Sequence, residues 1–519
     1  MDKLIVNNFR NIINNLELDL NPVTILTGTN NSGKSNIIKL LVVLNDYFES
    51  NNHLVLNFNG PNSGKHKIDC YRNAINWINW NDNKALRISF KRDQYWIALK
   101  FIQGSNQVNH DDQKGDLESI RITHNINKSK ILLKRQSNEV YMLEADQLFI
   151  LTLGGENEVL DPKQQLRINL QKQLETINTA LESTKYYIDT VEESHETSRL
   201  EAMRFHYTKQ MSILDAHTDE QPIKFLKYFV EIDILKLYTS NLTISSIIES
   251  ALSGYYNKET VNLSESKLKG IELEDLSKFS KEFNRILKIS TIHLGPNRYH
   301  QMRLYLNEIK TDINEIVSER ARNPFPKDSP ADQFLIKWMK AFDIGTEYRF
   351  NNIKGIACDI EIRDKERWIN LADKGFGSGQ ILSILLRLAE YLNIHLPEQN
   401  NLRRHSYEFP PIIVIEEPEA NLHPAFQTLL ATMFDEICRI AYVRIVIESH
   451  SEYFIRKTQS IVKNLSVNMN DKEVLPFSVY YFDKKNGAYK MEYRADGKFS
   501  NEFGSGFFDE TRKLISDIL

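Results

Sequence analysis

Residues 28–35 read Gly-Thr-Asn-Asn-Ser-Gly-Lys-Ser, the spacing G-x-x-x-x-G-K-S that cradles a chain of phosphates. Glycine lets the backbone turn its N–H groups onto an anion, and a following helix N-terminus adds positive potential there. Lys34 is expected to reach the outer phosphates and Ser35 to offer its hydroxyl to Mg²⁺. The nucleotide-contacting stretch is read as Gly28, Thr29, Asn30, Asn31, Ser32, Gly33, Lys34, Ser35 and Asn36.

Three later segments carry chemistry beyond binding. Pro411-Ile412-Ile413-Val414-Ile415-Glu416-Glu417-Pro418 is an apolar run that ends in two carboxylates. Such a run suits a parallel strand buried on both faces, and acids at its carboxyl end fall at the rim where open α/β sheets bind ligands. Adjacent strand residues point to opposite sides, so the two acids need not share a role. Glu416 is assigned to the Mg²⁺ shell, directly or through water, and Glu417 to the attacking water as base or orienting group. Arg444 to His450 reads as the next strand, ending in a histidine; His450 at its tip could donate a hydrogen bond to a terminal phosphate. Gly377-Ser378-Gly379-Gln380 precedes an apolar helix and offers a second set of N–H groups to an anion. Either both loops face one nucleotide within a chain, or each completes a site on a second chain.

These residues need a scaffold. Val23 to Leu26 reads as the strand before the first loop, and Asn36 to Leu41 as the start of the helix after it. Leu4–Phe9 and Leu16–Leu20 read as further strands, and Ala85–Phe90 and Tyr95–Leu99 alternate like antiparallel strands of one lobe. Residues 51–70 read as a loop, and 104–118 as a polar link. Asn109-His110-Asp111-Asp112 in that link is read as a solvated turn, because no second cluster stands at ligand spacing.

From Asp161, a plausible N-cap followed by Pro162, the pattern turns helical. Leu170, Leu174, Ile177, Leu181, Thr184, Ile188 and Val191 alternate spacings of four and three, as in a short coiled coil or an amphipathic helix packed on the body. A stretch from 196 to 214 could fold back on it, and helical patterns continue through 222–252 and 272–288. Thr291–Leu294 reads as a strand before Gly295-Pro296-Asn297-Arg298; 303–319 and 330–341 read as helices. Ile353–Ile362 reads as one strand, with Asp359 and Glu361 on a solvated face rather than at a metal. The organisation expected is an N-terminal part over 1–154, a helical insertion over 155–288, and a C-terminal part over 289–519.

Composition narrows the class. A chain of 519 residues with 41% hydrophobic residues can build a large core. Lys+Arg 65 against Asp+Glu 69 gives a net charge of −4, which argues against a surface coated for nucleic acid without excluding a local basic patch. Cys70, Cys358 and Cys438 stand far apart, as in a protein of the reducing cytosol, and make a thiolate zinc site unexpected. No signal-peptide core opens the sequence, and no apolar stretch approaches the ~20 residues that span a bilayer. A cytoplasmic, soluble protein is expected.

The order of parts resembles the ABC-type ATPases, in their cytosolic branch of RecF and SMC proteins and OLD-like ATPases. Asn8-Phe9-Arg10 looks like that branch's opening turn, and Glu416 to Pro424 (Glu-Glu-Pro-Glu-Ala-Asn-Leu-His-Pro) is similar to the OLD-like acidic motif. Ser449-His450-Ser451-Glu452-Tyr453 is similar to its switch-histidine segment, and Gly295 to Arg298 to a turn of that group. The resemblance implies an α/β ATPase head with a mixed central sheet, an inserted helical or coiled-coil subdomain, and ATP and Mg²⁺ as cofactors. It implies a homodimer, or higher homo-oligomer, in which each phosphate loop faces the partner's signature loop, and catalysis by Lys34, Glu417 and His450. The signature here, Gly377-Ser378-Gly379-Gln380, lacks the Leu-Ser-Gly-Gly opening of transporters. The tail offers Asp483 but no Asp-x-Asp, so no Toprim nuclease is expected. ATPases resembling this one occur in antiphage systems such as Septu, PARIS and retron-linked modules. That implies a sensor and scaffold gating a separate effector, often a nuclease. The alternatives are a DNA repair or chromosome-maintenance ATPase binding duplex DNA, and an interaction module with structural ATP.

Overall fold

The computed structural model describes residues 1–79, 84–104, 114–153, 167, 170, 171, 174–179, 181, 191–216, 227–237, 241–253, 273–296, 298, 302–306, 312–395, 409–466, 474–504 and 507–518. The Asn109–Asp112 segment, Asp161 and Pro162 lie outside these residues.

The fold is α/β with large mixed sheets. Its central sheet has six strands in the order Thr291–Leu294, Ile412–Glu416, Arg444–Glu448, Val23–Gly28, Phe477–Asp483 and Gly487–Met491. The first five run parallel, and the last turns back antiparallel. Alternate residues of the parallel strands feed two cores. Leu26, Val414, Val446 and Phe482 join one face; Ile25, Ile415, Ile447 and Tyr481 join the other. Burial on both faces explains the unbroken β-branched runs at 412–415 and 445–447.

The first face carries the helix Lys34–Glu49 and a nine-stranded antiparallel sheet. That sheet runs Lys227–Asp233, Val140–Asp146, Lys130–Arg135, Lys114–His124, Tyr95–Gln103, Leu86–Arg92, Lys3–Asn7 and Leu16–Asp19, with Val55–Asn57 paired to Lys114–His124. Two sequence expectations are corrected here. Part of the polar link over 104–118 is the start of strand Lys114–His124. The helical pattern expected from 222 contains strand Lys227–Asp233, where Tyr228, Val230 and Ile232 are buried and Lys227, Phe229 and Glu231 are exposed. That period of two is a strand signal, and pairing with Val140–Asp146 realises it. Helices Ile244–Ser253 and Leu273–Leu287 pack Ile248, Phe279 and Phe283 into this same core.

The second face carries helices Pro330–Ala341, Phe376–His395, Pro424–Ala441 and Glu452–Ser466. A small antiparallel sheet holds Tyr348–Ile353 and Ala357–Asp364. The single strand expected over 353–362 is thus a hairpin, because Lys354 and Gly355 take positive φ (51° and 72°) and turn the chain back. Asp359 and Glu361 do share a face, where Asn351 Nδ2 donates to both at 2.7 and 2.9 Å. Within 303–319, the described residues form a short strand, Tyr305–Leu306, before helix Asp312–Arg322.

Of the heptad-like stripe, Leu170, Leu174, Ile177 and Leu181 cluster with Leu200, Met203, Tyr207 and Met211 of helix Val191–Ala216. The described part of the stripe therefore pairs within the chain. Thr184 and Ile188 lie outside the described residues.

Candidate active site

The strand Val23–Gly28 delivers the glycine loop at its carboxyl end. Gly28 sits at φ +131°, and a Cβ there would stand 2.1 Å from Phe482 O of the neighbouring strand. Only glycine fits between strand and loop. Gly33 precedes helix Lys34–Glu49 in a left-handed conformation, φ 111°, and makes no side-chain cap; no acidic residue follows in the first turn. The Asn36 N–H closes back on Gly33 O at 3.0 Å, which leaves the N–H groups of Lys34 and Ser35 to face an anion, and no first-turn acid cancels the positive end of the dipole. Ser32 Oγ braces the loop by donating to Thr29 O at 2.6 Å.

Lys34 is buried, and its Nζ donates to Gly28 O at 3.2 Å and Thr29 O at 2.8 Å. Desolvation lowers its pKa, against the opposing pull of Glu448 and Glu417. Ser35 Oγ donates to Glu448 Oε2 at 2.8 Å, with Oε1 at 3.1 Å. Glu448 was not singled out by the sequence reading. Strand order explains its place: Arg444–Glu448 lies directly beside the loop strand, while Ile412–Glu416 lies one strand further out. Glu416 and Glu448 are register partners, so Glu416 stands on the same face but one strand spacing from the loop. Its Oε1 lies 2.6 Å from His293 Nε2.

Glu417 has left the strand. Its φ is 46°, a left-handed conformation, while its N–H still donates to Glu448 O at 2.8 Å. Arg298 fixes this bend. The guanidinium donates to Gly295 O at 2.9 Å, Glu416 O at 2.6 Å and Glu417 O at 2.8 Å. Burial lowers its pKa to about 10, so it stays charged at neutral pH. The turn Gly295 to Arg298 thus serves the acid pair through its arginine.

His450 is open to solvent at the cleft wall, and its N–H donates to Glu419 Oε1 at 2.6 Å. Desolvation of the ring, then Lys34, lowers its pKa, so the imidazole is neutral at neutral pH. Glu419 is half-buried, and desolvation raises its pKa.

One cleft of about 1090 Å³ collects Lys34, Ser35, Glu417, Glu448 and His450. Its size lies just above the ~300–1,000 Å³ usual for small-molecule pockets. Arg10, Lys39, Lys67 and Arg72 line its outer wall with positive charge. The residues Asn30 to Asn36 also line it; Glu416 and the Gly377–Gln380 segment do not. Gly377 and Ser378 are half-buried at the start of helix Phe376–His395, whereas Gly379 and Gln380 are buried. Gln380 Nε2 reaches Pro296 O at 3.4 Å, and a Cβ on Gly377 would stand 2.5 Å from Asn421 O. The Gly377–Gln380 segment therefore abuts the loop after the acid strand.

The donor set suits a hard dication. Glu448 is buried, and desolvation raises its pKa, with Glu416 and Glu417 adding to the rise. Glu448 on the serine hydroxyl and Glu417 in the same cleft gather negative charge beside Ser35, and oxygen donors of this kind are what Mg²⁺ takes.

A glycine loop between a buried strand and a helix, facing acids and an imidazole at the carboxyl edge of a parallel sheet, defines a phosphate-loop nucleotide-binding protein. The chain belongs to the AAA ATPase domain family, whose profile matches residues 1–455 and so takes in the whole cleft. No curated protein matches it significantly. Similar solved structures include the Smc head domain of Pyrococcus furiosus, with an extended coiled coil and bound to the C-terminal domain of ScpA (11% identity, TM-score 0.31, covering 100% of this chain and 98% of that one). They also include the Smc head domain of Pyrococcus yayanosii (10%, TM-score 0.34, 100% and 99%) and the SMC head domain of Thermotoga maritima (10%, TM-score 0.30, 95% and 98%). Among the described residues, no helix is long and apolar enough to cross a membrane.

Proposed function

We propose that the chain is an ABC-type ATPase that binds ATP and Mg²⁺ in this cleft and closes as a homodimer to hydrolyse it. The observation that carries the reading is the meeting of Lys34, Ser35, Glu417, Glu448 and His450 in one cleft, from chain segments far apart in sequence. Residues Asn30 to Ser35, which line the cleft, hold the phosphates through backbone N–H groups, with Lys34 on the outer ones. Ser35 and Glu448 would hold Mg²⁺, with Glu416 reaching it through water, and the ion would supply positive charge to the phosphate oxygens. Glu417 accepts a hydrogen bond from the attacking water and orients it. His450, a neutral imidazole, donates its one ring N–H to the terminal phosphate from the cleft wall.

Gly377 and Ser378 lie outside the cleft of their own chain, at a helix start. That supports the arrangement in which they complete a partner's site. Light scattering of the Glu417→Gln chain with ATP tests it. A dimer that forms with ATP and is lost on Ser378→Arg is expected; a monomer under all nucleotide conditions overturns it.

The role follows from the acidic motif Glu416 to Pro424 and the switch segment at His450, which resemble the OLD-like branch. The dimer senses a trigger and gates a separate effector in antiphage defence. Co-purification with the product of a neighbouring gene, in an ATP-dependent complex, is the expected result. A second reading, direct binding of duplex DNA, has the basic outer wall of Arg10, Lys39, Lys67 and Arg72 in its favour. Salt-dependent DNA binding that strengthens with ATP would favour that reading over the first.

A further inference from the structure

The loop over 51–70 folds a short helical turn, Ser63–His66, against helix Lys34–Glu49. This brings His66 to the edge of the central sheet. Its ring lies against that of His293, with centroids 4.6 Å apart and planes at 63°. His293 sits on the edge strand Thr291–Leu294, whose neighbour is the acid strand, and its Nε2 lies 2.6 Å from Glu416 Oε1. One donor atom from each of His66, His293 and Glu416 falls within 4.8 Å of the others. None of the three lines the phosphate cleft.

We propose that His66, His293 and Glu416 form a binding site for a divalent transition metal of the Zn²⁺ class, separate from the Mg²⁺ position at Ser35.

The chemistry of the three donors points to such an ion. Two imidazoles and one carboxylate are a known zinc set, with a fourth position left to water. Imidazole nitrogen selects Zn²⁺ and its neighbours in the first transition row over Mg²⁺ and Ca²⁺. His66 Nε2 is buried without a hydrogen-bond partner. A buried nitrogen without a partner, on a ring packed against a carboxylate-bound histidine, is costly unless something accepts its lone pair. Lys39 and Lys65 are the opposing charges: both act on His66, and Lys39 also acts on Glu416 and faces the phosphate cleft. A bound ion would tie together the 51–70 excursion, the edge strand and the acid strand. Glu416 would then be shared between the metal and the nucleotide edge of the sheet.

The test uses the full chain, without an affinity tag and without nucleotide. Zn²⁺ is titrated by calorimetry, and Co²⁺ is used as a visible-light reporter of coordination. One equivalent of Zn²⁺ is expected to bind, in the presence of excess Mg²⁺, with Co²⁺ giving an intense visible spectrum. His66→Ala and His293→Gln should each weaken Zn²⁺ binding by about tenfold or more and remove that spectrum, with far-ultraviolet dichroism unchanged. His66 lies on a short turn outside the sheets, so His66→Ala tests the site even if His293→Gln perturbs folding. Lys34→Ala should leave Zn²⁺ binding intact. Absence of stoichiometric Zn²⁺ binding overturns the proposal. So does binding that survives both histidine changes, or binding that Lys34→Ala abolishes. Because nucleotide is absent, failure here leaves the ATPase reading untouched.

Discussion

Ser35 donates its hydroxyl to the carboxylate of Glu448, at 2.8 Å, across 413 positions of sequence. The contact joins the end of the glycine loop to the tip of the strand beside it. It also makes Glu448, rather than either residue of the Glu416-Glu417 pair, the carboxylate nearest the loop serine. Glu448→Gln keeps the hydrogen bond and removes the charge. It is expected to weaken Mg²⁺-dependent nucleotide binding by about 10–100-fold, while nucleotide binding without Mg²⁺ changes little. Fluorescent-nucleotide titration with and without Mg²⁺ reads the difference. Equal losses under both conditions would remove Glu448 from the metal shell.

Arg298 acts on the backbone of both acids. It donates to Glu416 O and Glu417 O, and Glu417 sits at φ 46°. Arg298→Ala deletes a charged, buried clamp, and hydrogen bonds from charged groups contribute about 1.5–3 kcal/mol each. A stability loss of a few kcal/mol is expected by denaturant unfolding. Arg298→Lys is expected to leave kcat reduced with KM nearly unchanged, because an ammonium cannot span both carbonyls at once. Full rescue by lysine would show that charge alone matters there.

A separate histidine predicts acid sensitivity. His53 Nδ1 accepts from Ile244 N at 3.2 Å, and its Nε2 faces Phe48 O at 3.3 Å. The ring is therefore the Nε2–H tautomer, and protonation at Nδ1 breaks the contact with helix Ile244–Ser253. Burial lowers its pKa from 6.5 to about 4. Because the folded value lies below the unfolded one, the stability this group supports is present above pH 6.5 and is lost as pH falls from 6.5 toward 4. The loss amounts to about 3 kcal/mol across the window. Comparing wild type with His53→Gln by thermal unfolding from neutral pH to about pH 4 isolates it: the variant should show the shallower decline. Parallel curves would place the acid response elsewhere.

The parts of this site that follow local rules were legible in the sequence. The glycine loop is contiguous, and a strand and a helix flank it as expected. The acid strand and the histidine strand were readable because burial on both faces requires unbroken apolar runs. Strand order was not readable, since it depends on crossovers rather than local pattern; that is why Glu448 escaped notice although it ends a strand already identified. His66 was hidden in an Asn- and Gly-rich segment and His293 in a short edge strand, and only their meeting across the sheet edge gives them meaning. Strand Lys227–Asp233 was masked for a different reason. Its alternation is brief and stands among helical patterns, and its pairing partner lies beyond residues 154–226.

The central claim is that the cleft is an ATPase site in which Glu417 orients water opposite Lys34 and His450. Phosphate release at saturating Mg²⁺-ATP, measured beside ATP binding for wild type and Glu417→Gln, tests it most directly. The account predicts that the variant binds ATP as tightly as wild type while phosphate release falls by at least about a hundredfold. Release that continues undiminished in the variant would contradict it.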